Sequence, residues 1–388
     1  MTFLSPGGRM GLAYAAIFVT FGVHLPFYPV LLNHRGLSDT EIALVIGIPT
    51  LFRVATAPML GIASDRVRDR RLAVLAYAVA ALLAFAFFPV AIGFWTILAV
   101  MIVTAVAWNG VLPGAEAIAV GLVRRDGADY GRMRLWGSVS FIAATLISGL
   151  IVARTDAGMI FWLLAAAFAL QVIAVAAMPP VETAAAAEGR PAVRFADLFG
   201  HGALIAVMIG TACIHASHAM HNSFASLAWT AQGMSEATIG VVWIVGVIAE
   251  ITLFAAAGRI VARVNPVTLI AFGGLVAAAR WLIYPSLASP GAWGAVQAMH
   301  AFSYGAVHIG TMAYLTRAAL PGLAGSAQSL LVTFNGLFMA LATFASGALY
   351  KTYGLDGFPA MALVAMAGVV IVTLFARRPQ PQSAGSGG

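Results

Sequence analysis

Five charged side chains lie within or at the mouth of long apolar stretches of this chain: Arg53, Glu116, Arg134, Glu250 and Arg280. A carboxylate in apolar surroundings can take up and release a proton, and a guanidinium there can hold an anionic ligand. If the surroundings are lipid, each such charge is expensive and needs a partner or a function. Whether the apolar stretches that carry these side chains are membrane spans therefore has to be established first.

The composition is that of an integral membrane protein. Of the 388 residues, 61% are hydrophobic and 9% are charged, and the mean hydropathy is +0.94. A soluble domain carries about 25% charged residues. The one cysteine, Cys213, excludes a disulfide framework and a cysteine-ligated metal site. The sequence contains no nucleotide-binding loop, metal cluster or nucleophile elbow, so we expect neither an enzyme nor a metal protein.

Twelve apolar runs are long enough to cross a bilayer, which predicts an all-α membrane fold. The first six, spans 1 to 6, are predicted at residues 10–32, 41–62, 72–92, 95–122, 135–153 and 159–178. The second six, spans 7 to 12, are predicted at residues 202–229, 239–261, 267–287, 292–318, 323–349 and 357–376. We therefore predict six-helix bundles over residues 1–178 and 201–378, a cytoplasmic linker over 179–200 and a disordered tail over 379–388.

The basic residues fix the orientation of these spans. With the N-terminus inside, sixteen of the 21 Lys and Arg residues fall in inner segments, three in outer loops and two in mid-span. This is a strong positive-inside signal, so the N- and C-termini are predicted to be cytoplasmic. The net charge of +7 then reflects membrane topology, and we expect no nucleic-acid partner.

The two halves of the sequence repeat. A shift of 197 residues superimposes His24 on His221, Gly36 on Gly233, and Ser38 on Ser235. Because each half has an even number of spans, both copies enter the membrane in the same orientation. Such parallel repeats predict a substrate site near the midplane between the halves and transport by rocking of one half against the other.

The connection between spans 2 and 3 carries the first family motif. It reads G-I-A-S-D-R-V-R-D-R-R from Gly61 to Arg71. This resembles the loop motif G-x-L-A-D-R-x-G-R-R/K of the major facilitator superfamily. Arg68 replaces the second glycine of that motif, and Asp69 replaces the arginine that follows it.

The resemblance implies that this loop gates the transporter. A carboxylate among guanidiniums at a helix end can latch the cytoplasmic faces together and bias one conformation. The predicted gating residues are Asp65, Arg66, Arg70 and, in span 2, Arg53. A plain positive-inside loop, with Asp65 as a helix cap, is the alternative for the loop. For Arg53, substrate binding and a packing or gating pair with Glu116 both remain open.

A second motif narrows the family. Asp129 to Ser138, D-Y-G-R-M-R-L-W-G-S, resembles the start of the fifth span in bacterial 3-phenylpropionic acid transporters. The resemblance covers most of the chain. Further matches are H-L-P-F-Y in span 1, Arg53 in span 2, V-I-A-E in span 8, A-R-W in span 9, and His300 and His308 in span 10.

Two related families share parts of this pattern. In lactose permease, a span-4 glutamate and a span-5 arginine eighteen residues apart bind the sugar, which is the spacing of Glu116 and Arg134. Its coupling arginine and histidine are twenty residues apart, as are Arg280 and His300. Nucleoside–proton symporters resemble this chain in the glutamate of span 8, here Glu250.

The chain departs from lactose permease at its proton carrier. Lactose permease has a proton-handling glutamate three residues after the span-10 histidine, and Ser303 occupies that position here. Another group must then carry the proton. Glu250, paired with Arg280, is the first choice, and the histidines come second because imidazole titrates near physiological pH.

These arguments define two sets of candidate residues. Helical spacing adds Phe141, which shares a face with Arg134, and it adds His218 and Asn222, which share a face of span 7. The predicted substrate-binding residues are Glu116, Arg134, Phe141, His218, Asn222, Glu250 and Tyr304. The predicted proton-coupling residues are Glu250, Arg280, His300 and His308.

The resemblance implies a monomeric transporter of the bacterial inner membrane. We expect proton-coupled uptake of a small aromatic or organic acid, with the proton as coupling ion and with no other cofactor. Sugar or nucleoside symport is the alternative within the same class. Drug-type efflux and a membrane receptor that no longer transports are further alternatives.

Overall fold

The computed structural model describes residues 5–180, 198–318 and 324–376. Most of the predicted linker at 179–200 and the whole predicted tail at 379–388 lie outside these ranges, as does the side chain of Asp65. The boundaries of the two bundles and of the linker stay predictions.

The described chain is helical, and each predicted span corresponds to helix, which confirms the all-α prediction. Spans 1 to 6 are Pro6–His34, Asp39–Asp65, Arg70–Phe85, Gly93–Asn109 continued by Val111–Asp126, Tyr130–Val152 and Met159–Ala176. Spans 7 to 9 are Gly202–Ala216 continued by Ala219–Ala231, Glu236–Ala255 followed by the short helix Ala257–Arg263, and Pro266–Ile283. Spans 10 to 12 are Pro290–Ala298 continued by Val307–Ala318, Ala324–Tyr353 and Pro359–Phe375.

Ten of these spans are apolar helical stretches of at least 18 residues within the described ranges. Helix is the expected solution in lipid, because it satisfies every backbone polar group within the segment. Span 12 has 17 residues, and span 10 is interrupted.

The sequence repeat is also visible in the backbone. Gly36 and Gly233 precede spans 2 and 8 with φ of +81° and +80°, a conformation that glycine adopts without steric cost. Two residues later, Ser38 and Ser235 cap these helices by accepting hydrogen bonds from backbone N–H groups of the first turn. Equivalent turns therefore start equivalent helices in the two halves.

We call the end of the bundle that carries the arginine-rich connections the basic end. Glycines bring the two halves together at the opposite end. Gly149 of span 5 packs against the backbone of Glu236 in span 8. A Cβ on Gly240 would lie 3.0 Å from the carbonyl oxygen of Thr145, and one on Gly347 would lie 3.1 Å from that of Asp39. Spans 5 and 8, and spans 2 and 11, are thus in backbone contact away from the basic end.

Three spans are broken in mid-membrane. Span 4 breaks at Gly110, where Pro113 in the first turn of the second helix lacks an N–H group for the continuous ladder. Span 7 breaks between Ala216 and Ala219, and the intervening Ser217 hydroxyl donates to the carbonyl of Ile214 at 2.7 Å.

Span 10 breaks in a π-helix, Ala301–Ala306, where the sequence predicts one continuous helix. A π-helical turn changes the angular register of everything that follows it, and such turns are frequent at functional sites. Here the turn carries Ser303 and Tyr304, and His300 immediately precedes it.

Candidate functional site

A cavity of about 620 Å³ lies between the two halves. Spans 1 and 5 contribute its wall on the N-terminal side, and spans 7, 8, 10 and 11 contribute the other wall. The N-terminal side is lined by Phe18, Leu25, Arg134, Ser138 and Phe141. The C-terminal side is lined by His218, Asn222, Trp243, Gly246, Val247, Glu250, Ile251, Phe254, Gln297, His300, Tyr304 and Met339.

Arg134 is held at the cavity wall by an acidic and aromatic cradle. Its Nε lies 3.7 Å from Oε1 of Glu116, and both side chains are about one-third exposed. The guanidinium carbon lies 4.0 Å from the centre of the Phe18 ring and 5.7 Å from that of Tyr14. Cation–π contacts of this kind orient the guanidinium plane and leave its edge free to donate to a ligand.

Glu116 itself is not part of the cavity lining. Its Oε2 accepts hydrogen bonds of 2.8 Å from the hydroxyls of Tyr14 and Tyr130, and its other oxygen faces Arg134. Both carboxylate oxygens are therefore already engaged by protein groups. The geometry makes Glu116 a residue that positions Arg134, whereas the sequence predicts it as a substrate ligand.

On the opposite wall, Glu250 and Arg280 do not form the direct pair that the sequence suggests. His300 lies between them, with Nε2 3.6 Å from Oε2 of Glu250 and Nδ1 3.4 Å from Nη1 of Arg280. Since arginine can only donate, the network assigns Nδ1 as the acceptor and places the proton of the neutral ring on Nε2, towards Glu250. The arrangement is a chain of carboxylate, imidazole and guanidinium.

Arg280 is fully buried and does not line the cavity. It donates to Oε1 of Gln297, to Oγ of Ser303 at 3.3 Å and to the hydroxyl of Tyr284 at 3.5 Å. Its guanidinium carbon also lies 4.7 Å from the centre of the Trp281 ring. No carboxylate in the described residues lies within ion-pair distance of it.

The remaining predicted binding residues meet around the break in span 7 and the π-helix of span 10. His218 contacts the Ile214 carbonyl through Nδ1 at 3.2 Å and the Ser303 hydroxyl through Nε2 at 3.1 Å. The Tyr304 ring stacks on the His300 ring with centroids 5.2 Å apart. Asn222 lines the cavity one helical turn beyond His218.

His308 lies away from the main cavity, in a second groove of about 510 Å³ beside the ends of spans 8 and 10. Phe254 lines both spaces, so its ring separates the groove from the cavity. Of the predicted coupling residues, the structure therefore brings Glu250, Arg280 and His300 together and places His308 behind Phe254.

Among the predicted gating residues, Arg66 and Arg70 lie at the connection between spans 2 and 3, and Arg53 lies near the middle of span 2. Arg53 donates from Nε to Oδ1 of Asn109 at 3.2 Å, and Asn109 donates back to the Arg53 carbonyl at 3.1 Å. None of the described ion pairs joins Arg53 to Glu116: Arg53 has Asn109 as a partner, and Glu116 has Arg134 and two tyrosines.

The loop between spans 2 and 3 is ordered by Asp69. Its side chain caps span 3 by accepting from the Arg71 backbone N–H at 3.0 Å and pairs with the Arg71 guanidinium at 3.1 Å. Arg66 is exposed and Arg70 is partly buried. The aspartate that replaces the arginine of the family motif at position 69 thus caps the helix of span 3.

Several residues of the site give no strong signal in the sequence. Gln297, Trp243 and Phe18 line the cavity, and Tyr14 and Tyr130 hold Glu116. Gln297 is detectable as an amide one turn before His300 in an otherwise apolar helix, but a neutral amide hardly changes hydropathy. The aromatic residues are indistinguishable from packing residues until their neighbours are known.

Comparisons with known proteins agree with this architecture. The model of the MFS_1 like family matches residues 9–373. A curated relative, the probable 3-phenylpropionic acid transporter of Escherichia coli (strain K12), is 26% identical over 371 residues, covering 92% of this chain and 94% of the relative. The maltose permease of Geobacillus stearothermophilus is 26% identical over 377 residues, covering 95% of this chain and 94% of the permease.

The fold also matches solved transporters. The crystal structure of the nucleoside transporter NupG superimposes with a TM-score of 0.81 over 96% of this chain and 98% of that structure, at 15% sequence identity. At that identity the match supports the fold and not the substrate. The relatives found are transporters rather than enzymes.

Proposed function

Because the chain belongs to the MFS_1 like family, within the major facilitator superfamily, we propose that it imports a small aromatic carboxylic acid together with a proton. The observation that carries the proposal is the position of Arg134. Among the described residues that line the cavity, it is the one arginine or lysine, its guanidinium carbon lies 4.0 Å from the centre of the Phe18 ring, and Phe141 lines the same cavity. A guanidinium recognises a carboxylate, and the flanking rings suit an aromatic group.

The opposite wall supplies a group for the proton. Glu250 lines the cavity next to His300 and is separated from Arg280 by that imidazole. In the proposed cycle, Glu250 takes a proton as the acid binds to Arg134. When the two halves rock, both leave towards the cytoplasm. The acid and the proton thereby bias the same conformational equilibrium.

Sugar or nucleoside symport is the second candidate, and a specific observation favours it. The C-terminal wall presents neutral amide and imidazole groups from Asn222, Gln297 and His218, which suit hydroxyls or a nucleobase. The maltose permease among the relatives points the same way. In this case the hydroxyls would bind on the wall opposite Arg134.

The charge distribution supports the proposed orientation. Arg66 and Arg124, in the connections at the basic end, are exposed. We assign this end to the cytoplasmic face of a bacterial inner membrane, with the protein acting as a monomer. The contact of the two halves at the other end then closes the cavity from the outside.

The test is a proteoliposome assay with an imposed pH gradient, acid outside. It compares accumulation of 3-phenylpropionate with that of maltose and uridine. The proposal predicts that 3-phenylpropionate accumulates and that a protonophore abolishes the accumulation. Gradient-driven accumulation of maltose or uridine, without that of 3-phenylpropionate, would establish the second candidate instead.

A further inference from the structure

Gln297 occupies the place on Arg280 where a carboxylate would be expected. A fully buried guanidinium loses several kcal/mol of hydration, and proteins usually compensate this with an acidic partner. Arg280 instead donates to neutral acceptors, among them the amide oxygen of Gln297 and the hydroxyls of Ser303 and Tyr284. Glu250 is one histidine away from Arg280 and is only partly buried. The carboxylate of Glu250 is therefore not in direct contact with the buried guanidinium of Arg280.

The amide of Gln297 is fixed in one orientation by its neighbours. Its Nε2 lies 3.2 Å from Nε2 of His221, and Nδ1 of His221 lies 2.7 Å from the hydroxyl of Tyr284. Since Oε1 of Gln297 faces Arg280, its Nε2 donates a hydrogen bond to Nε2 of His221. The proton of the neutral His221 ring is then on Nδ1. A flipped amide would place its NH₂ against the Arg280 guanidinium, so that two donors would face each other.

Span 8 is shaped to admit this amide. A Cβ on Gly246 would lie 3.2 Å from Cγ and 3.4 Å from Nε2 of Gln297. Gly246 lies four residues before Glu250, and both line the cavity. The same helix face therefore leaves room for Gln297 at one turn and presents the carboxylate to His300 at the next.

We propose that Gln297 is a positioning residue whose amide oxygen holds Arg280 away from Glu250, so that the nearest basic side chain to Glu250 is a histidine and not an arginine. A carboxylate in direct contact with a buried guanidinium stays ionised over the physiological range and cannot exchange protons. The inference rests on the proposed function, in which Glu250 carries the proton.

The other groups around Glu250 are compatible with this inference. Glu250 shares the cavity with His218 of span 7, with His300 and Tyr304 of span 10 and, from the opposite wall, with Arg134 of span 5. His308 lies behind Phe254, within electrostatic range. Arg134 already has an acidic partner in Glu116, whereas Arg280 has none among the described residues, so the placement of Arg280 matters most to Glu250.

Two variants of similar volume separate a positioning function from a merely structural one. Gln297→Met removes the acceptor, so Arg280 turns towards Glu250 and traps it as a carboxylate. Gln297→Glu gives Arg280 a permanent carboxylate, while His221 moves its proton to Nε2 and accepts from Tyr284. The first variant strengthens the effect of the guanidinium on Glu250, and the second cancels it.

The measurement is the pH profile of substrate-driven proton flux in proteoliposomes, with exchange of labelled 3-phenylpropionate at equal pH on both sides as the reference. Gln297→Met should lower the ratio of proton flux to exchange about tenfold and shift the pH profile of the proton flux about one pH unit towards acid. Gln297→Glu should shift the profile about one pH unit towards alkali. Gly246→Ala, whose added Cβ would press on the side chain and the backbone carbonyl of Gln297, should give a smaller acid shift.

Opposite shifts in the two Gln297 variants support the inference. Unchanged profiles, or shifts in the same direction, in variants that still exchange substrate would overturn it and leave the proposed function standing. If wild-type protein exchanges 3-phenylpropionate without proton flux, the proposed function fails and the inference fails with it. If maltose or uridine is the compound transported, the same profiles are recorded with that compound.

Discussion

Each side of the cavity has an arginine and a glutamate, and the two pairs differ in their burial and in whether their side chains are in contact. On the N-terminal side, Arg134 and Glu116 are in direct contact, both are about one-third exposed, and the arginine faces the cavity. On the C-terminal side, Arg280 is fully buried, and His300 separates it from Glu250, which faces the cavity. In the proposed function, the first arrangement presents a cation to the ligand, and the second presents the carboxylate that carries the proton.

The same contrast holds for the histidines related by the repeat. The ring of His24 stacks on Tyr28 and meets Trp108 edge-on, in an aromatic environment. Its counterpart His221 instead bonds to Tyr284 and contacts Gln297, within the network around Arg280. Both histidines have aromatic neighbours, because His221 also packs against Trp229, Trp243 and Trp281. The difference between the halves is that His221 also joins the hydrogen-bond network around Arg280.

The largest expected effect comes from removing the titratable group of the C-terminal half. Glu250→Gln keeps the shape of the side chain but cannot release a proton. Accumulation of 3-phenylpropionate under a pH gradient should be abolished, whereas exchange at equal pH should stay within about threefold of wild type. Glu236→Gln, in the first turn of the same helix and outside the cavity lining, is the matched control. A Glu250→Gln protein that still accumulates the acid against a gradient would show that another group carries the proton.

An intermediate effect is expected from the carboxylate that positions Arg134. Glu116→Gln removes the ion pair and weakens two charge-assisted hydrogen bonds from tyrosines, so Arg134 becomes more mobile. The affinity for the acid should fall about tenfold, which corresponds to about 1.4 kcal/mol, and the pH profile should be unchanged. Equilibrium binding measured at several pH values checks both statements. A complete loss of binding would instead indicate that Glu116 binds the substrate directly.

The smallest effect is expected from the ring beneath Arg134. Phe18→Leu keeps the volume approximately but removes a cation–π contact of about 0.5–1 kcal/mol, so the affinity for the acid should fall about twofold to fivefold. Phe21→Leu is the control, because Phe21 stacks on Trp108 with centroids 4.6 Å apart and has no cation–π contact with Arg134. Equal losses in the two variants would attribute the effect to packing alone.

The sequence predicted the fold well because its signals are cumulative. Hydropathy over some 20 residues, the arginine distribution and the repeat each constrain the topology independently. Six of the seven residues proposed to bind substrate line the cavity: Arg134, Phe141, His218, Asn222, Glu250 and Tyr304. Helical spacing predicted Phe141, His218 and Asn222, and the family resemblance predicted Arg134 and Glu250.

The sequence could not predict which partner each charge meets. Glu116 has the correct spacing to Arg134, but Tyr14 and Tyr130 come from other spans and shield it from the cavity. His300 lies between Glu250 and Arg280 and prevents a direct contact. It precedes a π-helix, which a sequence pattern of 3.6 residues per turn does not predict. Neutral groups such as Gln297 decide these pairings, and they leave little trace in composition or charge.

The most direct test of the division between the two halves is the discrimination between 3-phenylpropionate and its uncharged amide, 3-phenylpropionamide. Their dissociation constants are measured by equilibrium binding to the purified protein, to the Arg134→Gln and Glu250→Gln variants, and to Arg124→Gln as an exposed control. Wild type, Glu250→Gln and Arg124→Gln should prefer the acid by about 100-fold, the value of a charge-assisted pair of about 3 kcal/mol, and Arg134→Gln should show no preference. A preference for the acid that survives in Arg134→Gln, or that disappears in Glu250→Gln, would contradict the assignment of the carboxylate to the N-terminal half.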